Sequence, residues 1–347
     1  MLTARFQKHI LKFKEASGTS RGILHTKETF FLVLEKNGKK GVGECSVFRG
    51  LSVDDKPDYE QKLQFVCKNI HKGKDYLLDQ LIEYPSIQFG IEQAFLSLQS
   101  TAGFELFPSD FTKKQVPINI NGLIWMGTAD FMKKQIEEKL AAGFTTIKMK
   151  IGAIDFKTEL ELLKSIRKEF SAKEITLRVD ANGAFTPVNA LEKLHYLSDF
   201  DLHSIEQPIK AGQWQEMAEL CQKTPLPIAL DEELISIFNK SSKKELLETI
   251  LPQFIILKPS LIGGINGSNQ WIEIANNLDI DWWITSALES NIGLNAIAQY
   301  TYTLNNKLPQ GLGTGSLFTN NITSPLVVKN GNLLYDKDKK WDVNFIK

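Results

Sequence analysis

The fold of this chain is decided by the stretch TTIKMK, residues 145–150, which has the pattern of a short strand. Successive side chains on a strand face opposite sides, so Lys148 and Lys150 point into one space and Met149 points away. Proteins rarely bury two like charges together without a use for them. The lysine pair therefore marks a candidate functional site.

Four later apolar runs have the same form, because each ends in an ionisable residue. They are residues 177–180, 204–206, 228–231 and 254–258, which end in Asp180, Glu206, Asp231 and Lys258. The centres of the apolar runs lie near residues 119, 147, 178, 205, 229, 256, 284 and 312, with amphipathic helical stretches between them. These steps have the length of one strand-plus-helix unit, so eight strands predict a closed parallel barrel.

The first part of the chain has a different pattern. Residues 29–34 form a strand-like run, Asn37-Gly38 is a hairpin signal, and residues 87–98 place apolar side chains on one helical face. We therefore predict an α/β protein, a modified (β/α)7β TIM-like barrel with an α+β N-terminal capping domain. The predicted boundaries are 1–113 for the capping domain and 114–323 for the barrel. A tail, 324–347, contains a second hairpin signal and is expected to return to the N-terminal sheet instead of forming a last helix.

The composition excludes several classes of partner. The 347 residues include 41 basic and 41 acidic side chains, so the formal charge is zero and no nucleic-acid or anionic-membrane footprint is expected. The three cysteines show no metal or redox spacing, and the start of the chain lacks the apolar core of a signal peptide. We expect a cytoplasmic protein with a small-molecule carboxylate substrate, and the oligomeric state stays open.

The carboxylates predict a magnesium site. Barrel active sites lie at the carboxyl ends of the strands, where Asp180, Glu206 and Asp231 follow three consecutive strands. Carboxylate oxygens suit Mg²⁺, with Mn²⁺ as a substitute, and the absence of His and Cys from the cluster argues against zinc. The like charge of one lysine should lower the pKa of the other by roughly 2 units, which makes a lysine base for a proton next to a carboxylate.

Each of these residues, taken alone, also has an ordinary structural explanation. A single carboxylate after a strand is more often a solvated loop residue or a helix cap. Here six ionisable residues keep one relative position across five successive strands, and chance rarely gives that pattern. Arg178 is expected to be a buried counter-ion and Cys45 a small buried residue. The glycines of residues 311–315 have the wrong spacing for a dinucleotide site and are expected to hold an anionic substrate group.

At these positions the sequence resembles the enolase superfamily, in its muconate-lactonising-enzyme subgroup. The resemblance covers nearly the whole chain and rests on Lys148-Met149-Lys150, Asp180-Ala181-Asn182, Glu206-Gln207-Pro208, Asp231-Glu232 and Lys258-Pro259. The lysine and Mg²⁺ chemistry that we expect is one for which this superfamily is itself the standard example.

Within the superfamily, residues 43–52, 286–293 and 311–315 are similar to the family of o-succinylbenzoate synthases. This resemblance implies a dehydration in menaquinone synthesis in which Lys150 moves the proton, Lys258 stabilises the enediolate and Lys148 tunes Lys150. It also implies a substrate pocket, for which the predicted contacts are Phe48, Leu51, Ser286, Glu289, Gly311 and Gly313. Phe48-Arg49 departs from the family, where proline and a small apolar residue are frequent.

Two alternatives stay open at this point. A dipeptide epimerase or N-acylamino acid racemase would use the same lysines and metal, with Lys258 as a second acid/base. Dipeptide epimerases typically carry Asp-x-Asp on strand 8, where this chain has Gly311 and Gly313. The second alternative is a non-catalytic ligand-binding barrel, which a missing metal ligand or base would favour; none is missing.

Overall fold

The N-terminal part of the chain is an antiparallel sheet covered by helices. In the computed structural model, which describes residues 1–19, 22–125, 127–342 and 344, three strands pair in the order β1–β2–β3. The strands are β1 Thr3–Thr19, β2 Gly22–Lys36 and β3 Lys39–Cys45. The predicted hairpin turn at Asn37 and Gly38 is confirmed, with φ angles of 53° and 77°. The helices that follow are α1 Tyr59–Asn69, α2 Lys74–Gln80, α3 Pro85–Gln99 and α4 Asp110–Lys114.

Helix α3 packs against β3 at a distance that only glycine permits. A Cβ atom at Gly43 would lie 1.9 Å from the carbonyl oxygen of Gly90, and one at Gly90 would lie 2.2 Å from the Sγ atom of Cys45. Cys45 is fully buried at this contact, as the sequence predicts. This close packing forms the core of the N-terminal part.

The second part of the chain is a parallel barrel, which confirms the predicted fold class. The described residues form a seven-stranded sheet of consecutive parallel neighbours. Its strands are β5 Gly122–Ile124, β6 Thr146–Lys150, β7 Thr176–Asp180, β8 Ser204–Glu206, β9 Ile228–Leu230, β10 Phe254–Leu257 and β11 Asp281–Ile284, and the two-residue strand β4 Ile118–Asn119 precedes them. Single parallel bridges, Ile120 to Gln310 and Thr285 to Gly311, close the barrel where the eighth strand is predicted.

Seven helices surround this sheet. They are α5 Ala129–Ala141, α6 Phe156–Glu169, α7 Pro187–Ser198, α8 Trp214–Lys223, α9 Lys240–Ile250, α10 Gly264–Asn277 and α11 Asn291–Thr303. Their N-termini carry the expected polar caps in several cases: the side chain of Asp155 accepts from the Thr158 amide before α6, and Thr186 precedes Pro187 at α7. None of the described helices combines the length and the apolar character needed to cross a bilayer.

The first barrel strand lies later than the sequence pattern places it. The predicted centre near residue 119 falls on β4, which pairs with the C-terminal hairpin, whereas β5 pairs with β6 in the barrel. Ile118, Ile120 and Ile124 are all buried, so hydrophobicity alone cannot show which segment forms the barrel hydrogen bonds.

The C-terminal tail follows the prediction only in part, because Trp341 packs against the buried cluster of the N-terminal sheet that includes Phe31 and Val33, whereas the hairpin does not. Its hairpin, β12 Leu326–Lys329 and β13 Asn332–Tyr335, pairs with β4 and not with the N-terminal sheet. Leu333 is buried in the barrel core, which explains this placement. A segment just before the predicted tail does reach β1, where the amide of Thr319 donates to the Lys12 carbonyl over 2.8 Å. The domain boundaries stay a prediction, and residues 343 and 345–347 lie outside the described part.

Candidate active site

The strand register brings the predicted charged residues together at one end of the barrel. Lys150 pairs in register with Asp180, and Asp180 pairs with Glu206 on the next strand. Lys148 lies two residues earlier on the same face, while Met149 is fully buried in the core around the barrel. The alternation predicted for residues 145–150 is therefore confirmed.

The lysines and carboxylates form one buried ionic network. The ammonium group of Lys148 contacts Glu206 and lies 2.9 Å from Asp180 Oδ2, and Lys150 Nζ lies 2.9 Å from the same oxygen. On the other side Lys258 contacts Asp231 and lies 3.9 Å from Glu206 Oε1. Three positive and three negative side chains are thus paired in a largely buried network.

This network changes the pKa of Lys148 in the direction opposite to the one predicted for a lysine of this pair. Burial favours the neutral form of Lys148, but the carboxylates of Asp180 and Glu206 outweigh it and raise the pKa of Lys148. The pKa of Lys258 is raised in the same way, with Asp231 opposing the effect of burial. The carboxylates therefore affect the pKa of Lys148 more strongly than the like charge of the neighbouring lysine, on which the prediction was based.

The three carboxylates suit a divalent cation in their chemistry. Burial, together with the charge of Asp180, raises the pKa of Glu206, and its Oε1 atom is buried without a hydrogen-bond partner. A cation would relieve both conditions. Within the described residues no three acidic, His or Cys side chains are grouped as a metal cluster, and Lys148 and Lys258 contact the carboxylates of Glu206 and Asp231. If the side chains of Lys148 and Lys258 rotated away, the carboxylate oxygens would become available to a cation.

Asn182 is a site residue that the sequence reasoning did not single out. Its Oδ1 atom accepts a hydrogen bond of 2.6 Å from Lys150 Nζ, and its Nδ2 group donates to Glu232 over 3.0 Å. Asn182 has a φ of 43°, and its amide donates to Asp180 Oδ1. The segment Asp180-Ala181-Asn182 already indicated a role for Asn182, because asparagine tolerates this left-handed backbone conformation after the strand.

One pocket of about 1070 Å³, including its open mouth, lies over the network. Lys148, Lys150, Asp180 and Lys258 line it, whereas Glu206 and Asp231 lie behind the lysines. Five predicted substrate contacts are in its wall: Phe48, Leu51, Ser286, Gly311 and Gly313. Apolar side chains that were not predicted complete the wall, among them Trp125, Leu288 and Leu317.

Glu289 does not have the predicted role. Its side chain is fully buried; one carboxylate oxygen accepts from the Ser260 hydroxyl and the other accepts from the Ala287 amide over 2.7 Å. The prediction of a direct substrate contact is therefore corrected. Glu289 orients the backbone of Ala287, which does line the pocket.

Arg178 is buried, as predicted, but its partner is not a carboxylate. Its guanidinium lies over the ring of Trp283, 3.9 Å from the centroid, and donates to the Pro309 carbonyl. Burial lowers the pKa of Arg178 to about 10, with Glu206 opposing the shift. We assign it a packing role beneath the site.

Comparison with known proteins follows this geometry. A family model described as "Enolase C-terminal domain-like" matches residues 131–338, which is more than half of the chain. The chain belongs to this family. It is 45% identical to an o-succinylbenzoate synthase of Desulfotalea psychrophila, over 94% of this chain and 97% of that protein.

Solved structures of family members share the same architecture. The crystal structure of MenC from Desulfotalea psychrophila superimposes with a TM-score of 0.86 at 42% identity, covering 96% of this chain and 99% of that one. The L-Ala-D/L-Glu epimerase of Bacillus subtilis has a TM-score of 0.82 at 19% identity, covering 96% and 95%. The second likeness shows the fold alone.

Proposed function

We propose that this protein catalyses the magnesium-dependent syn-dehydration of 2-succinyl-6-hydroxy-2,4-cyclohexadiene-1-carboxylate to 2-succinylbenzoate, a carbon–oxygen lyase step of menaquinone biosynthesis. One observation carries the proposal: Lys150 and Lys258 line a single pocket above three buried carboxylates. The relation to o-succinylbenzoate synthase over nearly the whole of both chains supports the choice of substrate.

Asp180, Glu206 and Asp231 are the residues that would hold Mg²⁺. When bound, the ion supplies positive charge that offsets the negative charge developing on the substrate carboxylate.

Lys150 is the proposed acid and base. As the neutral amine it takes the proton from C1, next to the ring carboxylate, and the C1–H electron pair moves into that carboxylate to give an enediolate. The electron pair then returns to form the C1–C6 double bond, and the C6–O bond breaks with its electrons on the oxygen. The departing hydroxide takes the proton from Lys150, and water leaves as the ring becomes aromatic. Both transfers occur on one face, so one lysine is enough.

The other site residues orient and shield this reaction. The ammonium of Lys258 lies across the pocket from Lys150 and stabilises the negative charge of the enediolate. Asn182 holds Lys150 through the 2.6 Å hydrogen bond. Phe48, Leu51 and Trp125 supply apolar wall that excludes water from the ring.

The pocket disfavours dipeptide epimerisation, the main alternative. A Cβ atom at Gly311 would lie 2.4 Å from Thr285 Oγ1, so an aspartate cannot be placed there without moving β11. The amide of Gly311 donates to Ile284 over 2.8 Å and is therefore not free to bind a carboxylate, contrary to one of our expectations. The hydroxyls of Ser286 and Thr314, which are paired with each other, remain as polar groups in this wall.

The direct test is metal-dependent product formation. After exhaustive chelation we expect no 2-succinylbenzoate, and added Mg²⁺ or Mn²⁺ should restore turnover. Glu206→Gln keeps the size of the side chain but removes its negative charge, so this variant should bind Mg²⁺ much more weakly than wild type, as measured by calorimetry. Full activity in excess chelator would exclude the proposed site.

The proposed location is the cytoplasm. The three cysteines, Cys45, Cys67 and Cys221, are free thiols in the structure, which suits a reducing compartment. The proposed partner is the small carboxylate substrate alone.

A further inference from the structure

A second pocket, distinct from the active site, contains a buried lysine without an anionic partner. Lys243 on α9 is 1% exposed. Its ammonium group donates to two neutral oxygens, the carbonyl of Gly267 at 3.3 Å and Oε1 of Gln270 at 3.0 Å. Within the described part of the chain no carboxylate forms an ion pair with it, and burial alone lowers the pKa of Lys243 to about 8. The ring of Trp271, 5.5 Å from the ammonium to the centroid, is its other neighbour. A buried ammonium with only neutral partners is costly, so a role for its charge is expected.

The surroundings of Lys243 form a cavity between the two parts of the molecule. The cavity holds about 620 Å³, including its mouth, between α2 and the start of α3 on one side and α9 and α10 on the other. No residue of its wall is shared with the active-site pocket. Loops at residues 236–238 and 261–263, which follow the strands ending at Asp231 and Lys258, also line it.

The wall of this cavity combines apolar side chains and polar groups in similar measure, with amide groups near the lysine. The apolar wall includes Leu78, Ile82, Ile237, Phe238 and Leu261. Gln88, Asn266 and Gln270 supply side-chain amides. Asp79, the acidic residue of the wall, is exposed to solvent and makes no contribution to the shift at Lys243.

From this arrangement we propose that the cavity is a second binding site for a small carboxylate with an apolar body. An ammonium group has three N–H donors, and two of those of Lys243 are used by neutral oxygens. The third would donate to the ligand carboxylate, while the apolar wall covers the ligand body and the amide of Gln270 donates to its second oxygen. A carboxylate supplies the missing anion without a change in the fold. This inference does not depend on the reaction proposed for the active site.

Benzoate is a suitable probe, because it combines a carboxylate with a flat apolar body. Binding would be measured by calorimetry on the full chain in excess chelator, with wild type, Lys243→Met and Lys244→Met. Lys244 is the matched control, since it lies on the same helix, is exposed, and pairs with Glu248 at 3.5 Å. We expect wild type and Lys244→Met to bind benzoate with equal affinity, and Lys243→Met to bind benzoate at least tenfold more weakly.

Two further measurements make the result decisive. Neutral benzamide has the same body and should bind the wild type at least tenfold more weakly than benzoate. If Lys243→Met folds poorly, Lys243→Gln takes its place, because glutamine keeps a hydrogen-bond donor but carries no charge. Lys243→Gln should then show the same loss of benzoate binding. Equal benzoate binding by the Lys243 and Lys244 variants, no benzoate binding by wild type, or equal binding of benzamide would each overturn the proposal.

Discussion

At the scale of single residues, the two lysines of β6 have different surroundings although only Met149 separates them. Lys148 contacts the carboxylates of both Asp180 and Glu206, whereas Lys150 contacts Asp180 and the neutral amide of Asn182. Lys148 is therefore held by charge, and Lys150 is the lysine that is freer to turn towards substrate. The sequence predicted their common face from the alternation of strand side chains. It could not predict these different partners, because they depend on side-chain rotamers across three strands.

The residue-scale prediction concerns Lys150→Ala. We expect a loss of dehydration of at least about a thousandfold in kcat, because no other group in the wall replaces the base on that face. Lys164→Ala is the control, since Lys164 is exposed on the outside of α6. Product formation at saturating Mg²⁺ measures both. A Lys150→Ala enzyme within tenfold of the control would show that another group removes the proton.

At the scale of elements, a carboxylate from the N-terminal part caps a barrel helix. Glu92 on α3 accepts hydrogen bonds from the amides of Ile265 and Asn266, in the first turn of α10, at 2.6 and 2.9 Å. The helix N-terminus favours a negative charge, but burial dominates and raises the pKa of Glu92 to about 7. Sequence periodicity predicted the apolar face of α3. It gave no sign that Glu92 faces another element, because this contact joins residues about 170 positions apart.

The pH dependence of stability should reveal this cap. The pKa of Glu92 rises from 4.5 in the unfolded chain to about 7 in the folded protein, so the unfolded chain loses its proton first as pH rises. Glu92 therefore lowers the free energy of unfolding progressively between these values, by roughly 3 kcal/mol at most. Glu92→Gln should remove this slope. The unfolding free energy of the variant minus that of wild type should become more positive from pH 5 to pH 7.5.

The control for this measurement is Glu273→Gln, an exposed residue of the same helix α10 that pairs with Lys240. It should leave the pH dependence of unfolding close to that of wild type, because exposed ion pairs contribute little. A Glu92→Gln protein whose stability follows the wild-type curve at every pH would contradict the account of this cap.

At the scale of the whole molecule, the N-terminal part and the barrel are joined by buried polar contacts as well as by apolar packing. Glu44 on β3 accepts from the Ser290 amide at 2.9 Å and the Gly293 amide at 2.8 Å, at the start of α11. The sequence predicted the barrel, because strand-plus-helix periodicity is local. The partner of the C-terminal hairpin and the contacts of Glu44 were not predictable, since both are set by packing between distant segments.

This junction predicts that the two parts unfold together. Glu44→Ala leaves the buried amides of Ser290 and Gly293 without an acceptor and should lower the free energy of unfolding by about 3 kcal/mol. All six tryptophans lie after residue 113, and four of them pack in the barrel, so their fluorescence reports mainly on the barrel: Trp214, Trp271, Trp282 and Trp283. In Glu44→Ala, the urea midpoints measured by fluorescence and by circular dichroism should fall together. Glu35→Ala, an exposed control on β2, should leave both midpoints unchanged. A shift in circular dichroism alone would indicate independent units.

The most direct test of the central claim is a comparison of substrates at saturating Mg²⁺. We expect a kcat/KM for 2-succinyl-6-hydroxy-2,4-cyclohexadiene-1-carboxylate far above that for L-Ala-L-Glu, because one lysine completes the dehydration and residues 311 and 313 are glycines, which have no carboxylate to hold a substrate ammonium. N-acylamino acids should be racemised slowly, since both lysines line the pocket. A dipeptide preferred over the cyclohexadiene by tenfold, about 1.4 kcal/mol of transition-state binding, would contradict the account.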